Sequence, residues 1–227
     1  MQHFRIVTAG LCLAATALLT ACNSSSNSSS VSTGWVQVFN ALGASQAVDC
    51  QMSGTILATA LPAGQASSYT IETAGTTASF SAFDTGTSAL VASTSYPVGT
   101  GNYSVVLAGI PGSATYPPAL FVLDDNNQTP GSDSCSVRVI NASPDAGPAS
   151  FSLSTITATW ASITYKSQGI YQTITPGSYT QAVTGSSTST PIATGSAYSF
   201  LGGHSYTMAL YGSISNGTLA IMVHQDL

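Results

Sequence analysis

Positive charge is scarce in this chain: three Lys and Arg stand against eight Asp and Glu, and charged residues make up only 5% of 227 positions. Nucleic acid and anionic lipid headgroups, both held by clusters of Lys and Arg, are therefore not expected as partners. Few ion pairs can form, so stability is expected to depend weakly on salt. Solubility falls instead to the hydroxyls and amides of Ser, Thr, Asn and Gln. Helical periodicity is also missing, and the longest apolar run, residues 6–19, is too short to cross a bilayer as a helix. Catalytic fingerprints are absent as well. There is no Gly-x-Ser-x-Gly elbow, no His-Glu-x-x-His helix, no P-loop and no dinucleotide motif. His204 and His224 are the histidines beyond the first segment, and no spacing places either beside a nucleophile and a carboxylate. The expectation is a protein that is not an enzyme and carries no cofactor.

What the chain does contain begins with an address. Arg5, the apolar run and Leu19-Thr20-Ala21-Cys22 have the layout of an export signal over residues 1–21. This segment resembles those of bacterial lipoproteins. The resemblance implies cleavage before Cys22, a diacylglycerol on its sulfur and a further acyl chain on its new amino group. Two or more chains anchor stably where one would be marginal. Asn23 stands where an Asp would imply retention at an inner membrane, so an outer-membrane anchor is expected, periplasmic or surface-exposed. Residues 22–33 then read as the lipidated Cys and a Ser/Asn-rich tether, with an end-to-end distance of about 18 Å for a flexible coil. Loss of residues 1–21 removes Arg5 and leaves a formal charge of 2 − 8 = −6.

Beyond the tether the chain repeats itself. Trp35-Val36-Gln37-Val38-Phe39-Asn40-Ala41 matches Ser136-Val137-Arg138-Val139-Ile140-Asn141-Ala142. Tyr69 pairs with Tyr171 and Gly75 with Gly177. Asn102-Tyr103-Ser104-Val105-Val106-Leu107-Ala108-Gly109 matches Ser205-Tyr206-Thr207-Met208-Ala209-Leu210-Tyr211-Gly212. The offset drifts only from 101 to 103, which predicts two tandem domains, residues 34–128 and 134–227.

Within each copy, short runs rich in Val, Ile, Phe, Tyr and Thr alternate with Gly, Pro, Asn and Ser turns. Val36 and Val38 share one face while Gln37 faces away, the alternation of a half-buried strand. Further strands are expected over residues 46–52, 68–73, 79–83, 90–96, 103–110 and 119–124. In the second copy they fall over 137–141, 150–153, 163–165, 170–174, 179–183, 197–200, 206–211 and 219–224. The predicted fold class is all-β: two tandem immunoglobulin-like β-sandwich domains, with a small barrel as the alternative. Val137-Arg138-Val139-Ile140-Asn141-Ala142-Ser143-Pro144-Asp145-Ala146, the turn Gly177-Ser178-Tyr179 and the late strand from Tyr206 to Gly212 resemble the bacterial domain of unknown function 4397. The likeness covers nearly all of residues 34–227 as two copies, the first departing from the opening motif at Leu42-Gly43-Ala44. It implies a β-sandwich in extracytoplasmic, often lipid-anchored proteins, with no assigned catalytic residues.

Other residues carry narrower expectations. Cys50 and Cys135, left after Cys12 departs and Cys22 is acylated, are candidates for a disulfide worth about 4–5 kcal/mol in the chain-entropy model. The alternative is that each thiol is a small buried hydrophobe. Asp124, Asp125 and Asp133 form a weak Ca²⁺ candidate that lacks the spacing of a dedicated loop. Tyr103 and Tyr206, at equivalent strand starts, are expected to pack over the core with their hydroxyls bonded to nearby backbone. Trp160, Tyr165, Tyr171 and Tyr179 are candidates for an exposed glycan-stacking platform. The function expected from all this is a lipid-anchored cell-envelope protein acting as a structural or adhesion-like interaction module, its partner an envelope protein or a glycan. A glycan-binding module is the first alternative and a hydrolase the second.

Overall fold

Among the described residues, twenty strands follow one another, most of them after short connections. In the first half they are β1 Thr33–Leu42, β2 Val48–Met52, β3 Thr55–Leu61, β4 Gln65–Ala66, β5 Thr70–Thr73, β6 Thr76–Asp84, β7 Leu90–Val98, β8 Asn102–Gly109 and β9 Ala119–Asp125. In the second half they are β10 Cys135–Asn141, β11 Ala149–Leu153, β12 Thr159–Ile163, β13 Ser167–Gln168, β14 Gln172–Ile174, β15 Gly177–Tyr179, β16 Gln181–Gly185, β17 Pro191–Thr194, β18 Tyr198–Phe200, β19 Ser205–Tyr211 and β20 Ala220–Gln225. The computed structural model describes residues 32–43, 46–125, 129–185, 188 and 190–226. The expected signal peptide, Cys22, most of the tether and residues 126–128 of the expected linker lie outside that set.

The fold is an all-β sandwich architecture, and the two halves have the same plan. In the first, sheet β4-β1-β8-β9, with β5 also on β1, faces sheet β3-β2-β6-β7; in the second, β13-β10-β19-β20, with β14 on β10, faces β12-β11-β16-β17. A short β15–β18 pair is an addition of the second half. Registers match as well as orders. β1 runs parallel to β8 with Val36 opposite Tyr103 and Asn40 opposite Leu107, while β10 runs parallel to β19 with Val137 opposite Tyr206 and Asn141 opposite Leu210.

Each sandwich has its own core. Val36, Val38, Val48, Met52, Phe80, Val105 and Leu107 fill the first, and Val137, Val139, Phe151, Trp160, Val183, Phe200, Tyr206 and Met208 the second. A third cluster joins them: Phe39, Ala41, Val106 and Ala108 meet Ile140, Ala142, Ala209 and Met222. The sheets built on β1 and β10 thus pack against each other through the faces turned away from their own cores. Residues 31–227 form one compact unit.

This corrects the reading of the opening strand as half-buried. Gln37 faces away from the Val36 and Val38 side, yet it is fully buried, as are Phe39 and Ala41 on the same face. β1 is covered on both sides because the second half supplies the other cover.

Two strands that alternation did not reveal, β3 and β12, carry equivalent irregularities. Ala60 and Ser162 have left-handed φ of 47° and 55°, and each strand pairs with its neighbour through a register shift. The bulges are held alike: Ala60 N–H donates to Asp49 Oδ1 at 2.7 Å and Ser162 N–H to Ser150 Oγ at 3.2 Å. A bulge puts two residues opposite one and so destroys the period of two in the sequence. The strand expected at 163–165 accordingly lies earlier, at Thr159–Ile163.

Candidate functional site

A group of buried polar side chains converges at the joint between the halves, next to the third apolar cluster. Gln37 on β1 and Arg138 on β10 are equivalent positions, both pointing into the joint and both fully buried. So are Ser104 and Thr207 on β8 and β19. Asp125 and Asp226, at and just beyond the ends of β9 and β20, complete the set with Tyr69 and Tyr171. The contacts cross. Arg138 forms an ion pair with Asp125 of the other half, and Gln37 Nε2 donates to Asp226 Oδ1 at 3.1 Å. Such reciprocal pairing of equivalent positions is the mark of an isologous, two-fold-like interface.

Other bonds lock the centre. Arg138 Nε donates to Thr207 Oγ1 and Arg138 Nη2 to Ser104 Oγ, both at 2.7 Å; Arg138 Nη1 also donates to Gln168 Oε1 at 2.7 Å. Each carboxylate receives a hydroxyl pair: Tyr69 at 2.6 Å and Ser104 at 2.8 Å on Asp125, Tyr171 at 2.9 Å and Thr207 at 2.8 Å on Asp226. The guanidinium carbon also lies 5.3 Å from the centre of the Tyr171 ring. Gln37 Oε1 is the exception, a buried oxygen with no hydrogen-bond partner.

One guanidinium serves two carboxyl groups here, and the protonation of the site follows from that. Burial raises the Asp226 pKa above the usual carboxylate range, opposed by Arg138 and by bonds from Thr207 and Gln37. Burial by itself would lower the Arg138 pKa, but Asp125, with Tyr171 and Asp226, raises it, so the guanidinium stays charged. Burial and then the Asp125 charge raise the Tyr69 pKa, and burial raises that of Tyr171, so both remain hydroxyl donors. The chemistry this arrangement supplies is cohesion: charge and hydrogen bonds satisfied across an interface from which water is largely excluded.

Beside the joint a cavity of about 480 Å³ opens between Asp124, Arg138, Gln168, Gly169, Ile170 and Tyr171. Its polar walls are already engaged with one another. Gln168 Nε2 donates to the Asp124 carbonyl at 2.8 Å, and Tyr96 donates to the Asp124 carboxylate at 3.0 Å.

The expected disulfide does not form. Cys50 and Cys135 are free and buried, and they belong to different cores. Each is a small hydrophobe on the inward face of its strand. Burial raises their thiol pKa values, to about 12 for Cys50 and about 11 for Cys135. What couples the halves is the joint.

The Ca²⁺ candidate is corrected too. Asp124 and Asp125 are successive residues of one strand and so point to opposite faces. Asp124 holds Tyr96, Asp125 holds Arg138, and Asp133 takes a bond from Ser132. Among the described residues no group of three or more His, Cys, Asp or Glu could hold a metal ion.

Nor do the four aromatics make an exposed platform. Trp160 is buried in the second core with Nε1 donating to Ile170 O at 2.8 Å, and Tyr179 is buried against Phe200. Tyr165 packs edge-on to Phe121 at the joint, and Tyr171 belongs to the polar network. The histidines are also separate: His224 meets Phe39 edge-on, and His204 lies 3.2 Å from Gln225 Nε2.

The opening motif has a structural purpose in both halves. Asn40 Nδ2 donates to the carbonyls of Gln46 and Leu61, and Asn141 Nδ2 to those of Gly147 and Ile163, all at 2.9 Å. Their Oδ1 atoms accept from Leu42 N and Ser143 N. Asp145 caps the β19–β20 loop, accepting from Ile214 N and Ser215 N at 2.9 Å and from Ser213 Oγ at 2.8 Å. These bonds outweigh the effect of burial and lower its pKa to about 2. Gly109 and Gly212, which end β8 and β19, sit at φ of 133° and 85°, where an L side chain is strained. Tyr103 and Tyr206 behave as their placement suggests, accepting from Gly99 N at 2.9 Å and Leu201 N at 2.8 Å.

A family model described as "Domain of unknown function (DUF4397)" matches residues 34–151. The chain belongs to this family. The matched segment takes in the whole first sandwich, crosses the joint through β10 and ends within β11. No curated protein matches the chain. Of the joint residues of this DUF4397 protein, Asp125 and Tyr171 were expected in other roles, and Gln37, Ser104, Arg138, Thr207 and Asp226 carried no expectation of a site. The signal was present in the repeat: Gln37 and Arg138 share their faces with Phe39 and Ile140, and an outward face bearing large apolar residues is a face awaiting cover.

Proposed function

We propose that this is a non-enzymatic, lipid-anchored protein of the cell envelope whose joined sandwiches act as a structural or interaction module. Residues 1–21 are removed, Cys22 carries the lipid, the residues between it and the start of β1 at Thr33 are the tether and the outer membrane holds the anchor. The observation that carries the reading is the joint: the ionisable groups that converge bind one another across the two halves, and the polar walls of the cavity beside them are engaged with one another. A rigid pair of sandwiches on a tether presents loops to a partner, an envelope protein or a glycan, without needing chemistry of its own. Equal strand orders and registers support the finer reading that the second half is another copy of the family unit.

The test is mass spectrometry of the mature amino terminus together with fractionation. The wild-type protein is expected in the membrane with acylated Cys22, and Cys22→Ala in the soluble fraction. An unmodified terminus, or a Cys22→Ala protein that still sediments with membranes, would overturn the anchor.

A further inference from the structure

Departures from the internal symmetry reveal positions that the fold itself does not require. Trp35 and Ile71 stand directly opposite each other on β1 and β5, where antiparallel neighbours lie about 5 Å apart. They are 41% and 53% exposed, a large aromatic and a branched aliphatic residue facing solvent side by side. The equivalent pair in the second half, Ser136 opposite Thr173, shows that the same strand pairing works with small polar residues. The apolar pair thus occurs only in the half that the tether enters.

We propose that this end of the unit rests on the bilayer, with Trp35 and Ile71 seated at the headgroup boundary; the proposal rests on the reading of Cys22 as the lipid anchor. Ten residues, 23–32, separate Cys22 from the start of β1 at Thr33. Fully extended they span about 35 Å, and as a flexible coil they would average about 17 Å, so the pair can reach the surface that holds the anchor. Trp suits that position because its ring is amphipathic, apolar in its body and wet at its N–H. The local charge fits a zwitterionic surface and not an anionic one: Glu72, half-buried, follows Ile71, and Asp124, exposed, lies near the end of the strand two places across the sheet. Leu201, 55% exposed, lies in the loop leading into β19, the strand that starts alongside β10. It adds a third apolar contact at the end where β1 and β10 both begin. Docking converts a freely tumbling tethered unit into one with a defined face toward the lipid and its opposite loops toward the partner.

The chain has two tryptophans, and Trp160 is buried in the second core, so a change on membrane contact reports Trp35. The protein as the cell makes it is reconstituted into phosphatidylcholine vesicles whose acyl chains are brominated close to the headgroup. Where mass spectrometry finds Cys22 unmodified, its thiol is coupled to a maleimide lipid in the same vesicles, Cys50 and Cys135 being buried. The anchor and the docking are thereby read separately. The expected result is a blue shift of tryptophan emission and bromine quenching of the Trp35 share, leaving the Trp160 share. Trp35→Ser/Ile71→Thr, which copies the second half, is expected to fold normally and to show neither change. Vesicle-held wild-type protein with unshifted, unquenched emission would overturn the proposal, as would equal quenching of the double variant.

Discussion

Replacing Arg138 with Gln copies into the second half the residue that the first half carries at the same position, and leaves Asp125 and Asp226 buried with no cation. Removing one partner of a buried ion pair costs about 3–5 kcal/mol. Here the guanidinium also supplies bonds to Thr207, Ser104 and Gln168, so at least the middle of that range applies, about 4 kcal/mol. For a unit of this size that lowers the melting temperature by about 8–16 °C. The defect must depend on pH. Without Arg138, whose charge opposes the effect of burial, Asp226 keeps its proton in the fold at pH values where the unfolded chain has lost it. Stability is therefore retained below the unfolded carboxylate pKa and lost as pH rises above it. Asp125→Asn in the same chain removes one stranded charge, so the double variant is expected to regain more than half of the loss at pH 7. Denaturant titration of the wild type, both single variants and the double variant at pH 4 and pH 7 closes the cycle. An Arg138→Gln loss below about 1 kcal/mol, far under the range for a buried pair, would refute the reasoning. So would a double variant no more stable than Arg138→Gln alone.

Three further outcomes are expected. Asp226→Asn should gain on the wild type as pH rises, because the raised Asp226 pKa means that the wild-type fold holds a proton the unfolded chain releases. The difference in melting temperature, near zero below the unfolded pKa and growing above it, is the measurement. Asp145→Ala should cost about 2 kcal/mol at pH 7, the size of charge-assisted hydrogen bonds. Because the Asp145 pKa is lowered to about 2, its contribution is present at neutral pH and lost as pH falls through about 4 toward 2, so urea titrations of the two proteins should converge in acid. Cys50 and Cys135 should resist a thiol reagent in the native protein and react fully in denaturant without reductant; a missing pair of thiols there would mean a bridge.

Reading by residue pattern went furthest where one side of a strand meets water. The runs 79–83, 90–96 and 119–124 fall inside β6, β7 and β9, because an outer sheet or edge strand has one wet face and its sequence alternates. The repeat was also legible, since equal spacing of turns and apolar runs needs no knowledge of contacts. β3 and β12 were not, because Ala60 and Ser162 bulge and erase the alternation. The aromatic platform failed for a related reason: Trp160 and Tyr179 satisfy their polar atoms on backbone carbonyls close by, at Ile170 and Thr175, and nothing in spacing distinguishes such residues from exposed ones.

By itself, then, the amino-acid order determined an all-β chain of duplicated pattern, with Asn40, Asn141, Tyr103 and Tyr206 at matched places. These are short-range facts, set by period, turn chemistry and hydrogen bonds to nearby backbone. Only the tertiary structure decided that Gln37 and Arg138 are interior, that Cys50 and Cys135 belong to separate cores, and that Asp125 pairs with Arg138 and Asp226 with Gln37 across the joint. Those outcomes depend on which surface covers another. A strand's outward face is written identically whether water or a second sheet lies against it, and the difference arises only when residues about a hundred positions apart are packed together.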